Sequence, residues 1–290
     1  MIRPKLFGTA AILTGMVACS NGPRPVILQD KGSDTIVNLM ARMSEAYLKV
    51  DPAIVVAVNG GGSGTGIKSL IDGTTDIANS SREIKDKEIA LAKEHGINPV
   101  PLVIAMDGLA IYVNDKNPID RITFEQLKCI YSAEGTCTHW SDVGVKVDCG
   151  GDDKIIKVNR QNNSGTYEYF KEVVLGKHGK FTNTMDQSGT QQVADVVGTS
   201  ACAIGYGGMG YGGKNSVRYV CLAKEADGDC HMPTTEEVRA GGYPFSRPLY
   251  VYTNGAPTGA VKDFLGFVMS EQGQEIVIRA GFVPAPKPGL

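Results

Sequence analysis

Apolar and polar residues alternate along the chain in segments with two different periods. Residues 36–50 place apolar side chains at every third or fourth position, which is the spacing of one buried helix face. Pro52 ends this helix, and the β-branched residues at 53–58 predict a strand. Strand and helix segments continue to alternate, which indicates an α/β fold with a mostly parallel sheet.

The same criteria predict the remaining elements and the turns between them. Strands are predicted at 26–28, 76–78, 100–105, 109–113, 154–158, 202–206, 217–222 and 249–253. Helices are predicted at 67–71, 84–95, from the capping box at 123–126 onward, and at 164–175, 258–270 and 272–280. Polar or glycine-rich turns at 32–35, 60–66 and 162–166 each follow a strand. In open α/β sheets, ligands bind beyond the carboxyl ends of the strands.

The N-terminus has the pattern of an export signal. A short basic segment precedes a mostly apolar run at 6–17, which is too short to span about 30 Å of hydrocarbon as a helix. Residues 16–19 then resemble a bacterial lipobox, which predicts a signal peptide at 1–18, lipid on Cys19 and a linker at 19–25. An ordinary cleaved signal peptide is the alternative. We expect an exported protein of the periplasm or cell surface, bound to the membrane only through its lipid.

Composition narrows the function classes. A length of 290 residues is typical of two domains. A net charge of −2 argues against nucleic acid as a partner. Six cysteines besides Cys19 lie between 129 and 230, and an even number in an exported chain predicts disulfides of undetermined pairing. These candidates are Cys129, Cys137, Cys149, Cys202, Cys221 and Cys230. The histidines are scattered and no CxxC pair occurs, so we expect no metal and no cofactor.

The polar turns have the chemistry of an anion site. Helix N-termini leave about four N–H groups without partners in the helix, and anions bind there without a lysine. The turns at 60–66 and 163–166 add glycine, which permits close backbone approach, and donor hydroxyls. Arg160 lies at the end of a strand, where its guanidinium can hold two anion oxygens. Taken singly, these features are typical of a linker at 60–66, a helix N-cap at Ser164 and a surface arginine.

Several motifs together resemble one family. They are similar, in order, to motifs in the phosphate-binding proteins of bacterial ABC-type phosphate importers, and the resemblance extends over 27–285. The motifs are Gly32-Ser33-Asp34-Thr35, 60–67, 72–77, Ser80-Ser81-Arg82, 123–127, 140–144, 160–166, 203–206 and 272–284.

The resemblance implies a two-lobed periplasmic-binding-protein fold, in which each lobe is a mostly parallel sheet flanked by helices. The first lobe comprises 26–108 and 248–290, and the second comprises 109–247. A hinge of two segments, near 107–113 and 243–250, joins them. Such hinges let two lobes close over a ligand.

The resemblance also implies a set of phosphate-binding residues: Ser33, Thr35, Ser63, Asp76, Arg160, Ser164, Gly165 and Thr166. The hydroxyls and the Gly165 N–H are donors, and Arg160 is the charged clamp. Asp76 corresponds to a carboxylate that faces the anion. Because phosphate near neutral pH keeps a proton that it can donate, whereas sulfate has none, such a carboxylate selects phosphate.

Two positions depart from the family pattern. Asn162 stands where many relatives have an acidic residue near the arginine, so less neutralisation of Arg160 is expected. Asp34 stands where several relatives have threonine, and a cap of the following helix is one role for it. Either change alters affinity or the preferred oxyanion.

The leading hypothesis is a solute-binding protein that captures inorganic phosphate and delivers it to an ABC importer permease in the inner membrane. It is expected to be a monomer and not an enzyme. One alternative is a phosphatase that uses the same anion site. Another is a lipoprotein adhesin or sensor that has the same fold and binds a different oxyanion.

Overall fold

The computed structural model of this protein describes residues 24–286. The predicted signal peptide and the lipidation site Cys19 lie outside the described residues. Within 24–286, none of the helices has both the length and the apolar character needed to span a bilayer.

Strands and helices alternate through most of the chain. The strands are β1 Val26–Gly32, β2 Ile54–Asn59, β3 Ile77–Ser80, β4 Pro99–Asn114, β5 Arg121–Thr123, β6 Ile156–Arg160, β7 Met185–Gln187, β8 Ala203–Gly208, β9 Val217–Ala223, β10 Cys230–His231, β11 Ser246–Asn254 and β12 Val283–Pro284. The helices are α1 Val37–Tyr47, α2 Ser63–Ile71, α3 Asp86–Glu94, α4 Phe124–Tyr131, α5 Gly165–Phe170, α6 Thr190–Thr199, α7 Thr235–Ala240, α8 Gly259–Met269 and α9 Glu271–Arg279.

The strands form a mixed sheet in the order β2-β1-β3-β11-β4-β8-β6-β7. Pairing is parallel at both ends, where β1 lies between β2 and β3 and β6 lies between β7 and β8. Pairing is antiparallel in the centre, where β11 contacts β3 and β4, and β4 contacts β8. The α/β class is confirmed. The parallel ends follow from helical connections such as α1 and α2, because a parallel pair needs a crossover.

Strand β4 is continuous where the sequence predicts two strands, at 100–105 and 109–113. Residues 99–108 pair with β11, and residues 109–114 pair with β8 and β9. The apparent break comes from Asp107 and Gly108, which interrupt the apolar pattern. Asp107 is nevertheless fully buried because Arg247, its direct neighbour on β11, pairs with it.

Two helices are absent from the sequence-based prediction. Helix α6 has Gly189 at its N-cap, which offers no side-chain cap, and its first turn contains no acidic residue, so it lacks the usual start signals. Helix α7 has Thr234 as its N-cap but contains only six residues and buries only Val238. The sequence therefore failed to predict these two helices because their local signals are weak.

All six candidate cysteines are paired in the structure, which confirms the disulfide prediction. The pairs are Cys129–Cys137, Cys149–Cys202 and Cys221–Cys230. The first and third close short loops, with sequence separations of 8 and 9, whereas the second has a separation of 53. All three lie in the middle of the chain.

Candidate functional site

Buried hydroxyl groups meet beyond the carboxyl ends of the parallel strands. Ser33 follows β1, Ser63 opens the helix after β2, Ser81 follows β3, and Ser164 lies between β6 and α5. Strands β1, β2 and β3 run in the same direction, so their ends bring the turns with Ser33, Ser63 and Ser81 to one edge of the sheet. Strand β6 lies in the other half of the sheet, and the turn that follows it reaches the same place through Gly165 and Thr166. We call the whole group the hydroxyl cluster: Ser33, Thr35, Ser63, Ser81, Ser164 and Thr166, all of them buried.

The first part of the hydroxyl cluster joins three serines. Ser33 Oγ donates to Ser81 Oγ at 2.9 Å, and Ser63 Oγ lies 3.4 Å from Ser81 Oγ. Ser63 Oγ also accepts the Ser81 N–H at 3.1 Å. A Cβ atom on Gly165 would lie 2.4 Å from Ser63 Oγ and 2.7 Å from Ser81 Oγ. Only glycine fits at position 165, since a larger residue would displace these hydroxyls.

The second part joins Thr35 and Thr166, which lie 131 residues apart in sequence. Their Oγ1 atoms are 2.9 Å apart. Ser164 Oγ accepts the N–H groups of Thr166 and Tyr167, so Ser164 is the N-cap of α5. The plain N-cap interpretation of Ser164 is therefore correct, and its hydroxyl hydrogen remains available to a further acceptor.

Backbone donors without an acceptor lie in the same turns. The N–H groups of Asp34, Thr35, Ser63 and Gly165 donate to no acceptor within residues 24–286. Each stands in the first turn after a strand, where helical geometry provides no partner. Buried N–H groups are normally hydrogen-bonded. The hydroxyl cluster thus combines with unused backbone donors, which is the donor set of an oxyanion site.

Arg160 supplies the positive charge beside this cluster. Its side chain is 1% exposed and donates to Thr190 Oγ1 at 2.8 Å, to the Ser188 carbonyl at 2.9 Å and to Asp34 Oδ2 at 2.6 Å. Burial lowers the pKa of Arg160, and the nearby Asp34 carboxylate opposes that shift. Its Nε atom is buried and has no hydrogen-bond partner within the described chain. Arg160 is therefore not a surface arginine.

Asp34 provides the carboxylate beside Arg160 that residue 162, an asparagine, does not provide. Its Oδ2 pairs with Arg160, and its Oδ1 accepts the Gly61 N–H at 2.9 Å. The carboxylate that neutralises Arg160 thus comes from the turn after β1, and not from the position two residues after the arginine. A carboxylate already stands within the site, so the missing acidic residue at 162 is replaced from elsewhere in the chain.

Asp76 does not join the site, which corrects the expectation based on the resemblance. It precedes β3, whereas the hydroxyl cluster lies beyond the other end of that strand. At about 3.3 Å per residue, Asp76 is roughly 16 Å along the strand from Ser81. Asp76 Oδ2 accepts the Gln29 N–H at 2.7 Å, and the Asp76 N–H donates to the Gln29 carbonyl. Its role in the structure is to join β1 to the turn before β3.

The glycine-rich turn at 60–66, which was expected to bind the anion, mainly contacts Asn163. The Gly64 N–H donates to the Asn163 carbonyl at 3.0 Å, and Asn163 Nδ2 donates to the Gly61 carbonyl at 2.8 Å. A Cβ on Gly62 would lie 2.6 Å from the Asn163 carbonyl oxygen. These glycines therefore permit Asn163 to approach α2. Of this turn, Ser63 is the residue that reaches the hydroxyl cluster.

Sequence reasoning assigned no role to three site residues. Ser81 lies within a quoted motif, but its hydroxyl was not singled out. Thr190 opens a helix that was not predicted. Arg247 lies two residues before the predicted strand at 249–253, within the hinge segment expected near 243–250. Its position in the site depends on the pairing of β11 with β4, which no local pattern reveals.

A groove of about 650 Å³ leads to the hydroxyl cluster. Ser81 and Arg247 belong both to its wall and to the site. Charged and tyrosine side chains form much of the remaining wall. Lys85 and Glu168 form an ion pair at 2.9 Å that joins α3 to α5 across this region.

Comparisons with known proteins identify the family. A PBP superfamily domain model matches residues 20–272. The phosphate-binding protein PstS of Pseudomonas aeruginosa is 36% identical over 271 residues, which cover 89% of this chain and 83% of that protein. The chain belongs to the PstS family of the PBP superfamily. PstS of Staphylococcus saprophyticus is 32% identical, and the match covers 99% of this chain and 92% of that protein.

Solved structures of PstS-like proteins have the same fold. A substrate-binding protein from Clostridium perfringens, crystallised with bound phosphate, has a TM-score of 0.77 and 29% identity, with 90% of this chain and 100% of that chain covered. An ABC-type phosphate transport receptor from Vibrio cholerae has a TM-score of 0.69 and 27% identity, with coverage of 89% and 100%. The periplasmic-binding-protein fold expected from the resemblance is therefore confirmed.

Proposed function

We propose that this PstS-family protein captures inorganic phosphate at the hydroxyl cluster and delivers it to the permease of an ABC importer. The observation that carries the proposal is the convergence of buried hydroxyls, unused backbone N–H groups and Arg160 where turns from both halves of the sheet meet. The relatives named above are binding proteins and transport receptors, which favours this function over a phosphatase, an adhesin or a sensor.

The proposed ligands of the anion are Ser33, Thr35, Ser63, Ser81, Arg160, Ser164, Gly165 and Thr166. Hydroxyl and amide donors satisfy phosphate oxygens at close range, and donor hydrogen bonds to a charged acceptor are stronger than neutral ones. Arg160 offers the Nε–H that lacks a partner in the described chain. This arrangement explains how a protein of net charge −2 attracts an anion, since the attraction is local.

Asp34 takes the selecting role that was expected of Asp76. Monohydrogen phosphate donates its proton to a carboxylate, whereas sulfate has no proton to donate and is repelled. Asp34 stands beside the hydroxyl cluster, because its Oδ2 contacts Arg160 and the next residue, Thr35, belongs to the cluster. Each carboxylate oxygen has a second lone pair that can accept a proton from the anion.

The two lobes are proposed with the boundaries inferred from the sequence, 26–108 with 248–290 and 109–247. The change of partners along β4 supports them: residues up to 108 pair with β11, and residues from 109 pair with β8 and β9. Strands β4 and β11 would then form the hinge about which the lobes close. We further propose export as a lipid-anchored monomer of the periplasm or cell surface.

Calorimetry of the purified protein tests the main proposal. After exhaustive dialysis to remove bound anion, phosphate should bind with a Kd of about 1 μM or tighter. Sulfate and molybdate in the same buffer should bind far more weakly. Absence of heat and of thermal stabilisation by phosphate would exclude the proposed function.

A further inference from the structure

Arg247 is a second buried arginine at the site. It lies on β11 directly opposite Asp107 of β4, and its side chain is 2% exposed. Its Nε and Nη2 donate to Asp107 Oδ2 at 3.1 and 2.9 Å, and its Nη1 donates to the Ser81 carbonyl at 3.2 Å. Nη2 also donates to Thr166 Oγ1 at 3.0 Å. The guanidinium lies 5.4 Å from the centre of the Tyr169 ring, so it is held on several sides.

The contact with Thr166 restricts the directions open to a hydroxyl hydrogen. A guanidinium has only donors, so Thr166 Oγ1 must be the acceptor. The hydrogen of the Thr166 hydroxyl is then left for another partner, either Thr35 Oγ1 at 2.9 Å or an anion at the site. Thr166 is therefore presented as a donor.

The charge of Arg247 has a counterion of its own. Asp107 is fully buried, and it also accepts the Met209 N–H at 3.1 Å. Burial raises the pKa of Asp107, and the adjacent Arg247 opposes that shift. Since the Asp107 carboxylate balances the guanidinium, Arg247 adds little net attraction for an anion. Its contribution is the orientation of the Thr166 hydroxyl.

We propose that Arg247 is a positioning residue of the anion site, which holds the Thr166 hydroxyl as a donor toward phosphate, with Asp107 as its counterion. This inference rests on the proposed function. Arg160 acts differently, because its Nε–H has no partner within the described chain and is free to donate to the anion itself. The two arginines thus divide direct donation and orientation between them.

A double-mutant cycle tests this role. Removing Arg247 alone would leave Asp107 buried and unpaired, so the background variant is Asp107→Asn with Arg247→Gln, which is neutral. In the unaltered protein, Thr166→Val should weaken phosphate binding about tenfold or more through loss of a charge-assisted donor. In the neutral background, Thr166→Val should have an effect of less than about threefold, because its hydroxyl is no longer oriented. Ser33→Ala is the matched control and should cost the same factor in both.

Equal losses for Thr166→Val in both backgrounds would overturn the proposal and leave Arg247 with a structural role alone. A second variant, Arg247→Lys, retains the ion pair with Asp107, but one ammonium group does not span both Asp107 and Thr166. It should bind phosphate about tenfold more weakly with the melting temperature nearly unchanged, and unchanged affinity would contradict the proposal. Failure of the unaltered protein to bind phosphate would instead refute the proposed function, before any variant is compared.

Discussion

Asp34 and Arg160 form an ion pair, with Asp34 Oδ2 2.6 Å from Arg160 Nη2, although 126 residues separate them in sequence. The pair joins the turn after β1 to the last residue of β6. The guanidinium is buried, so removal of either partner leaves a charge without compensation. This contact places one negative and one positive group beside the hydroxyl cluster.

Asp34→Asn should lower the preference for phosphate over sulfate by about tenfold or more, because it removes the carboxylate that we propose as acceptor of the phosphate proton. The measurement is the ratio of the two dissociation constants by calorimetry at a fixed pH. Asp76→Asn is the control, since Asp76 contacts Gln29 at the other end of β3. Loss of selectivity in the Asp76 variant, with none in the Asp34 variant, would reverse the assignment.

Gly165→Ala should weaken phosphate binding. The new Cβ would lie 2.4 Å from Ser63 Oγ and 2.7 Å from Ser81 Oγ, so both hydroxyls must move. We expect a loss of about tenfold or more in affinity. Gly266→Ala is the control, because a Cβ there has no neighbour within 4 Å and alanine favours the helix. Equal affinities for the two variants would show that position 165 is not part of the site.

The pH dependence of stability should contain a contribution from Asp30. This residue of β1 is fully buried, and Asn79 Nδ2 donates to its Oδ1. Asp30 Oδ2 and Asn79 Oδ1 have no partner among the described residues, and a proton on Asp30 would let the two side chains form a second hydrogen bond. Burial raises the pKa of Asp30 well above its ordinary value, while the bond from Asn79 opposes that shift.

Because the folded state holds this proton more tightly, its stabilising effect is complete below the ordinary carboxyl pKa. It is lost as the pH rises toward the raised pKa. Asp30→Asn places a neutral amide there and should flatten this part of the profile. Urea unfolding followed by circular dichroism, at several pH values above about 4, measures the change. A variant with the same slope as the unaltered protein would assign the dependence to other groups.

The disulfide Cys149–Cys202 should stabilise the fold more than Cys221–Cys230. Their sequence separations are 53 and 9, and a cross-link that closes a longer loop removes more entropy from the unfolded chain. Loop entropy gives about 4 kcal/mol for the first and about 2.5 kcal/mol for the second. Paired Cys→Ala variants, compared by urea unfolding, test the order. The reverse order would show that native packing, and not loop entropy, dominates.

Local patterns were sufficient for most elements because each has its own apolar period or cap. The capping box of α4 is an example: Thr123 Oγ1 accepts the Gln126 N–H and the Gln126 side chain accepts the Thr123 N–H. The predicted division of β4 has a non-local cause. Asp107 interrupts the apolar pattern in sequence, and the partner that allows its burial, Arg247, lies 140 residues away.

By itself the sequence determined the alternating α/β elements, the even set of cysteines and the polar turns at the strand ends, because periodicity, count and composition are local properties. Only the tertiary structure decided which groups meet. It paired Asp34 with Arg160, set Ser81 and Arg247 against the hydroxyl cluster and placed Asp76 at the opposite end of β3. The physical reason is that strand order, direction and register, not sequence spacing, fix which turns meet.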